Sequence, residues 1–323
     1  MIENTPNSFN AAQNIINVLH KKNKRSFKYQ YNALKKQAYY FSPAYRDFVS
    51  KVINNNSLKI KNAYQNGCVF SLEEENQKES LNKRHKNILL TDINNVDCLP
   101  HELGHAVDFW FGKNKALSTI VLIEDNKTLY DIFTEEFESK YKELYEIVMN
   151  EYKNIINSNI NEKAYDILIS NMPKYKELRS IEYNPKDIES SVKRQILQQE
   201  LYKSGFVETY YLLLNKKCYS ILNTKYSPIL DALSSKYDFE HLCLVHHENI
   251  YYKGSKFRPI HEFFANVFAA KVASKHTHFD NLIKFLPKSF NAFEKLFVIF
   301  YDHIQNNKRF TDVKLKKGEN YEL

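Results

Sequence analysis

Apolar and aromatic residues recur at helical spacing through positions 26–53, at Tyr29, Leu34, Ala38, Tyr39, Phe48 and Val52, interrupted at Ser42-Pro43. The Asn-rich start is weakly patterned and predicts a short helix after a loose beginning. Beyond 53 the pattern changes to alternation. Positions 58–64 alternate, 67–72 follow a turn signal at Asn66-Gly67, and 87–91 form a short apolar run. These predict two or three short strands, with a charged loop at 73–86 before the last. A helix is expected from Leu99 to about Phe111, with Asp97 as N-cap, Pro100 in the first turn and Gly112 as its stop. Helical spacing then dominates at 130–158, 164–171, 187–203 and 207–219, punctuated by Pro173, Pro185 and Gly205. Further helices are expected at 260–273 and 289–305.

Composition narrows the class. The chain has 323 residues, 43% hydrophobic and 26% charged, which excludes a collagen-like or wholly disordered protein. Only 6 Gly and 8 Pro fit a chain of long helices rather than many short strands. The expected fold is α+β and helix-dominated, with a small sheet before the helix at 99 and a large helical insertion at 113–240. One domain is expected over 26–305, between an N-terminal segment at 1–25 and a C-terminal tail at 306–323. No internal repeat and no low-complexity linker is visible.

Charge changes the picture little. Lys and Arg number 46 against 38 Asp and Glu, a net +8, and this is read as a solvated basic surface. Nucleic-acid binding through the basic stretch from Lys21 to Lys36 would rest on charge alone. Four cysteines, at 68, 98, 218 and 243, show no Cys-x-x-Cys spacing, which argues against a disulfide framework and a zinc ribbon. The N-terminus has no signal-peptide pattern, and apolar runs such as 120–123 are too short to span a bilayer. No transmembrane segment and a cytoplasmic site of synthesis are therefore expected.

The chemistry concentrates at 101–105, His-Glu-Leu-Gly-His. On a helix His101 and His105 lie one turn apart on one face, so both imidazoles reach a single ion. Glu102 follows the first of them and can take a proton from a water at that ion. Zinc held by three protein ligands, one ion per chain, keeps a position for water and lowers its pKa to about 7. The third ligand sets the class. A metzincin would continue with Gly and then His or Asp, but Asp108 and Phe111 occupy those positions. A Glu from a later helix is the alternative, and Glu262 in the segment His261-Glu-Phe-Phe-Ala-Asn-Val-Phe268 is the candidate, with its Phe and Val residues supplying packing.

His101-Glu-Leu-Gly-His-Ala-Val-Asp108, taken with Glu262-Phe-Phe-Ala265, resembles the catalytic domain of the anthrax lethal factor group of zinc peptidases. The motif is also similar to that of the clostridial Pro-Pro endopeptidases. The likeness covers about 30–112 and 245–305, including Leu286-Pro-Lys-Ser-Phe290. It implies a zincin-like domain, Glu262 as third zinc ligand, a Tyr shortly upstream that stabilises the oxyanion, and a protein or peptide substrate. A toxin or effector protease delivered by a non-classical route would follow. Two departures stand out: the long insertion before Glu262, and Asn266 where the family commonly has Glu. Asn266 can still accept a hydrogen bond from a ligand His, without the charge. A second likeness competes. Pro228-Ile-Leu-Asp-Ala-Leu233, His247 with Tyr251-Tyr252, and the Glu262 helix resemble the metallopeptidase-like region of phage minor head proteins. That implies a phage or mobile-element structural protein carrying the same metal site.

Tyr251 is the expected oxyanion donor and Tyr252 the runner-up, though either ring could serve packing alone. His247 is a second candidate donor to oxyanion or substrate. Asp108, one turn past His105, is a candidate to hold an imidazole by its second nitrogen, or an ordinary helix-surface carboxylate. A strand at 67–72 or 87–91 is expected to form an edge on which a peptide substrate pairs.

Overall fold

The computed structural model describes residues 6–22, 31–54, 58–62, 69–73, 85–90, 96–111, 116–159, 162–181, 187–215, 226, 228–237, 251–252, 254–273, 277–306 and 314–316. Two compact units divide the chain: one is Met1–Lys140 with Tyr251–Leu323, the other Tyr141–Ile250. The chain is helix-dominated, as the periodicity implies.

In the first unit α1 (Pro6–Lys22) turns Ala11, Ala12, Ile15, Ile16 and Leu19 inward and packs on α2 (Tyr31–Tyr40) and α3 (Arg46–Asn54). The expected separate N-terminal segment is thus part of this core. Three strands follow: β1 (Leu58–Asn62), β2 (Val69–Glu73) and β3 (His85–Leu90). Their order is β1-β3-β2, with β1 parallel and β2 antiparallel to β3. Ile60 and Ile88 are register partners and both are buried. Since β3 is central, the run at 87–91 is not an edge; β2 is.

Helix α4 (Cys98–Asp108) packs on β2 and β3 and is buried almost all round. It ends three residues short of the expected Phe111, because the amides of Phe109 and Trp110 close on the carbonyls of His105 and Val107. Asp97 stands at the N-cap position, but its side chain does not cap; it accepts the Tyr40 hydroxyl. Burial and that carboxylate push the Tyr40 phenol well above its ordinary pKa.

Residues 113–140, expected to open the insertion, belong to the first unit where they are described. The short helix α5 (Leu117–Ile120) is fully buried, and α6 (Leu129–Asn159) starts with a reciprocal cap between Thr128 and Asp131. Its first turns bury Leu129, Ile132, Phe133 and Phe137, and the Phe133 ring lies 4.8 Å from that of Phe263. Apolar burial therefore moves the boundary to 140. Within the expected C-terminal tail, Lys314–Lys316 pairs by backbone with Ile120 and Leu122, and Lys316 reaches Asp131 at 3.1 Å.

Helix α10 (Arg258–Val272) lies against α4 along its length, and α11 (Thr277–Phe285) and α12 (Pro287–Asn306) complete the unit. An aromatic core of Phe48, Phe264, Phe268, Phe293, Phe297 and Phe300 ties α3, α10 and α12 together, with neighbouring ring centroids 5.2–6.3 Å apart. Buried Glu136 caps α12 by accepting from the amides of Lys288 and Ser289 and the Ser289 hydroxyl.

The second unit packs α7 (Glu162–Ser180), α8 (Ile188–Lys203) and α9 (Phe206–Asn215) against one another. Pro173, expected to break a helix, sits inside α7. The carbonyl it deprives of a donor is that of Ile169, on the exposed side, while Leu168 and Met172 hold the helix from within. Helical residues at 228–234 bury Ile229, Leu230, Ala232 and Leu233. No helix among the described residues is long and apolar enough to cross a membrane.

Candidate metal centre

The contact between α4 and α10 builds the site. Leu99, Leu103, Ala106 and Val107 anchor α4, while Ile260, Phe263, Phe264, Val267 and Phe268 anchor α10. The two backbones meet at Gly104 and Ala265. A Cβ placed on Gly104 would lie 2.6 Å from the Ala265 Cα and 2.9 Å from its carbonyl oxygen, so only glycine permits this approach. Contacts run in antiparallel order: His101 meets Asn266, His105 meets Glu262, and Asp108 meets His261.

This crossing brings His101, His105 and Glu262 together, with one ligand atom from each all within 4.8 Å of one another. Glu262 Oε2 lies 3.3 Å from His101 Nε2 and 3.5 Å from His105 Nε2. A tetrahedral ion with bonds of about 2.0–2.1 Å spaces its ligand atoms about 3.3–3.4 Å apart, so the two Glu262–imidazole separations match those around one small divalent cation. Electrostatics agree. Glu262 is 1% exposed, and a cation at this point would offset the cost of keeping its carboxylate charged away from water. Among the described residues this is the one such cluster of His, Cys, Asp and Glu.

The imidazole tautomer is set from behind. His101 Nδ1 donates to Asn266 Oδ1 at 3.2 Å, which leaves Nε2 with the lone pair that coordination uses. Glu102 is buried on α4 beside His101.

Tyr251 is the phenol at the site, and it differs in posture from the expected oxyanion donor. Its hydroxyl donates to Glu262 Oε1 at 2.8 Å, so as it stands it orients the candidate ligand. The Arg258 guanidinium lies 4.4 Å from the Tyr251 ring centroid and donates to its backbone carbonyl, and Gly254 leaves room for it. Tyr252 is buried, with its ring edge-on to Tyr251 at 5.1 Å. His247 lies outside the described residues.

Asp108 holds an imidazole, but not that of a ligand as expected. Its Oδ2 accepts from His261 Nδ1 at 2.7 Å, and both oxygens are also taken by Ser118. Residues one turn apart on α4 share a face, yet the close packing of α10 brings the His261 imidazole onto the Asp108 carboxylate. The sequence reading missed Ser118, His261 and Gly104. A glycine inside an otherwise helical pattern is itself a signal of close packing.

That close approach gives a test. Gly104→Ala would normally gain about 0.5–1 kcal/mol of helix propensity. Here the added methyl meets backbone that cannot move aside cheaply, so a net loss of about 2–3 kcal/mol is expected. Denaturant unfolding of the two proteins side by side measures it; a more stable variant would contradict the approach.

Comparison with protein-family models, curated proteins and solved structures finds no match for this chain.

Proposed function

We propose that the chain is a zinc-dependent metalloendopeptidase with a zincin-like site, hydrolysing peptide bonds of a protein substrate. The observation that carries this reading is Glu262 Oε2, 3.3 and 3.5 Å from the two imidazole nitrogens of a helical pair that brackets Glu102. Zinc fits a set of two imidazoles and one carboxylate, and when bound it supplies Lewis acidity that polarises a carbonyl and acidifies a water.

The chain's own residues do the rest. His101, His105 and Glu262 hold the ion, with Asn266 fixing the His101 tautomer and Tyr251 fixing the Glu262 carboxylate. Glu102 takes the proton from the attacking water and delivers it to the leaving amine. Tyr251 has one hydroxyl proton, and it is already shared with a ligand oxygen. Turned from Glu262 Oε1, the phenol donates to the oxyanion that develops on the attacked carbonyl. Among the described residues β2 is an edge strand of the sheet and packs against α4, and a peptide pairing along it takes affinity from main-chain bonds.

The test is cleavage of a broad peptide library by the full chain, before and after chelation and again after zinc is restored. Cleavage that disappears with the chelator and returns with zinc is expected. No cleavage in any state, or cleavage indifferent to the chelator, would remove the peptidase reading.

A further inference from the structure

We propose that Asp108, Ser118 and His261 form a lock that fixes the register of α10 against α4 and so presets the spacing of the three candidate metal ligands. This rests on the metal-site reading and names residues that act on the site without touching the ion.

The three side chains come from three elements. Asp108 ends α4, Ser118 lies in α5, and His261 is in the first turn of α10. All are buried, Asp108 and Ser118 completely. Asp108 Oδ1 accepts the Ser118 amide at 2.8 Å, and Oδ2 accepts the Ser118 hydroxyl at 3.0 Å and His261 Nδ1–H at 2.7 Å. The Phe109 ring packs on the His261 imidazole at 4.6 Å.

Composition alone would suggest a Ser-His-Asp nucleophile system, but the geometry excludes it. Such a system needs the serine on the imidazole nitrogen opposite the carboxylate. Here both Ser118 and Asp108 face the same nitrogen, with Ser118 Oγ 3.5 Å from His261 Nδ1 and its proton on Asp108. The cluster is therefore a bracket, not a nucleophile.

Its place decides what it brackets. Asp108 follows His105 by one turn on a single helix, and His261 directly precedes Glu262. Holding Asp108 to His261 fixes both the height and the rotation of α10 at the residue beside the third ligand. The His101–Asn266 bond does the same on the other side, so polar pairs flank the triad at both ends. A site functions when its ligands are held to within about 0.5 Å, and a shift of α10 moves Glu262 Oε2 directly.

The experiment is a Co2+ titration of the full chain and of Asp108→Asn, Ser118→Ala and Ser289→Ala, read by visible absorption of the bound ion and paired with thermal melts of the metal-free proteins. Ser289 is buried and bonded to Glu136 beyond the triad, so Ser289→Ala reports lost stability alone. Asp108→Asn is expected to bind Co2+ about 10–100-fold more weakly with a changed spectrum, and Ser118→Ala to do so more mildly. Ser289→Ala is expected to melt earlier yet bind with wild-type affinity. If Asp108→Asn does not fold, Ser118→Ala decides by the same readout. Lock variants that lose only melting temperature, with affinity and spectrum unchanged, would overturn the lock while leaving the metal site standing. A wild-type chain that binds no Co2+ would overturn the metal reading itself, and the lock with it.

Discussion

Glu262→Ala is expected to abolish stoichiometric metal binding, weakening affinity by more than about 100-fold, since changes merely behind a ligand already cost 10–100-fold. The reasoning is geometric. Glu262 Oε2 lies close to both Nε2 atoms, so without it two imidazoles one helical turn apart remain. The truncation also leaves the Tyr251 hydroxyl without its carboxylate and opens space inside α10. Glu262→Gln separates these effects, because it keeps the shape and an acceptor for Tyr251 but removes the charge. Both variants are expected to lose zinc measured by elemental analysis after dialysis, with helical circular dichroism retained. Full zinc occupancy in either would remove Glu262 from the ligand set.

Glu102→Gln is expected to do the opposite: zinc retained, turnover lowered by about 10²–10⁴-fold. Glu102 is 6% exposed and stands beside His101, and the amide is nearly its isostere, so folding and metal affinity should hold. What disappears is the ability to accept a proton. The comparison is kcat on a cleaved library peptide, at equal zinc content. A variant that cleaves as fast as wild type would take the general-base role from Glu102; one that loses zinc would make Glu102 a structural neighbour of the ligands.

The site was legible where its chemistry is local. His101, Glu102 and His105 form one helical motif, and Glu262 with Asn266 form an i, i+4 pair on another, and the structure brings His101, His105 and Glu262 together. Spacing failed where partners are distant. Asp108 could be read as a holder of some imidazole or as a surface carboxylate, because periodicity shows only the residues of its own helix, whereas its partner His261 is 153 residues away. Gly104 signals close packing only in general terms in the sequence, and its partner in that approach, Ala265, lies on a distant helix. The same limit applies to the fold. Patterning suggested two or three short strands, but nothing in it shows β1 running parallel to β3 with β2 on the far side. The insertion boundary fell at 140 rather than 113 because a buried face on residues 116–137 is indistinguishable, in sequence, from one that packs within the inserted helices.

X-ray absorption at the zinc edge on the zinc-loaded chain tests the central claim most directly. One zinc per chain is predicted, with nitrogen and oxygen neighbours at about 2.0–2.1 Å and the outer-shell signature of two imidazoles. Failure to take up zinc, or a first shell of sulfur without imidazole, would contradict it.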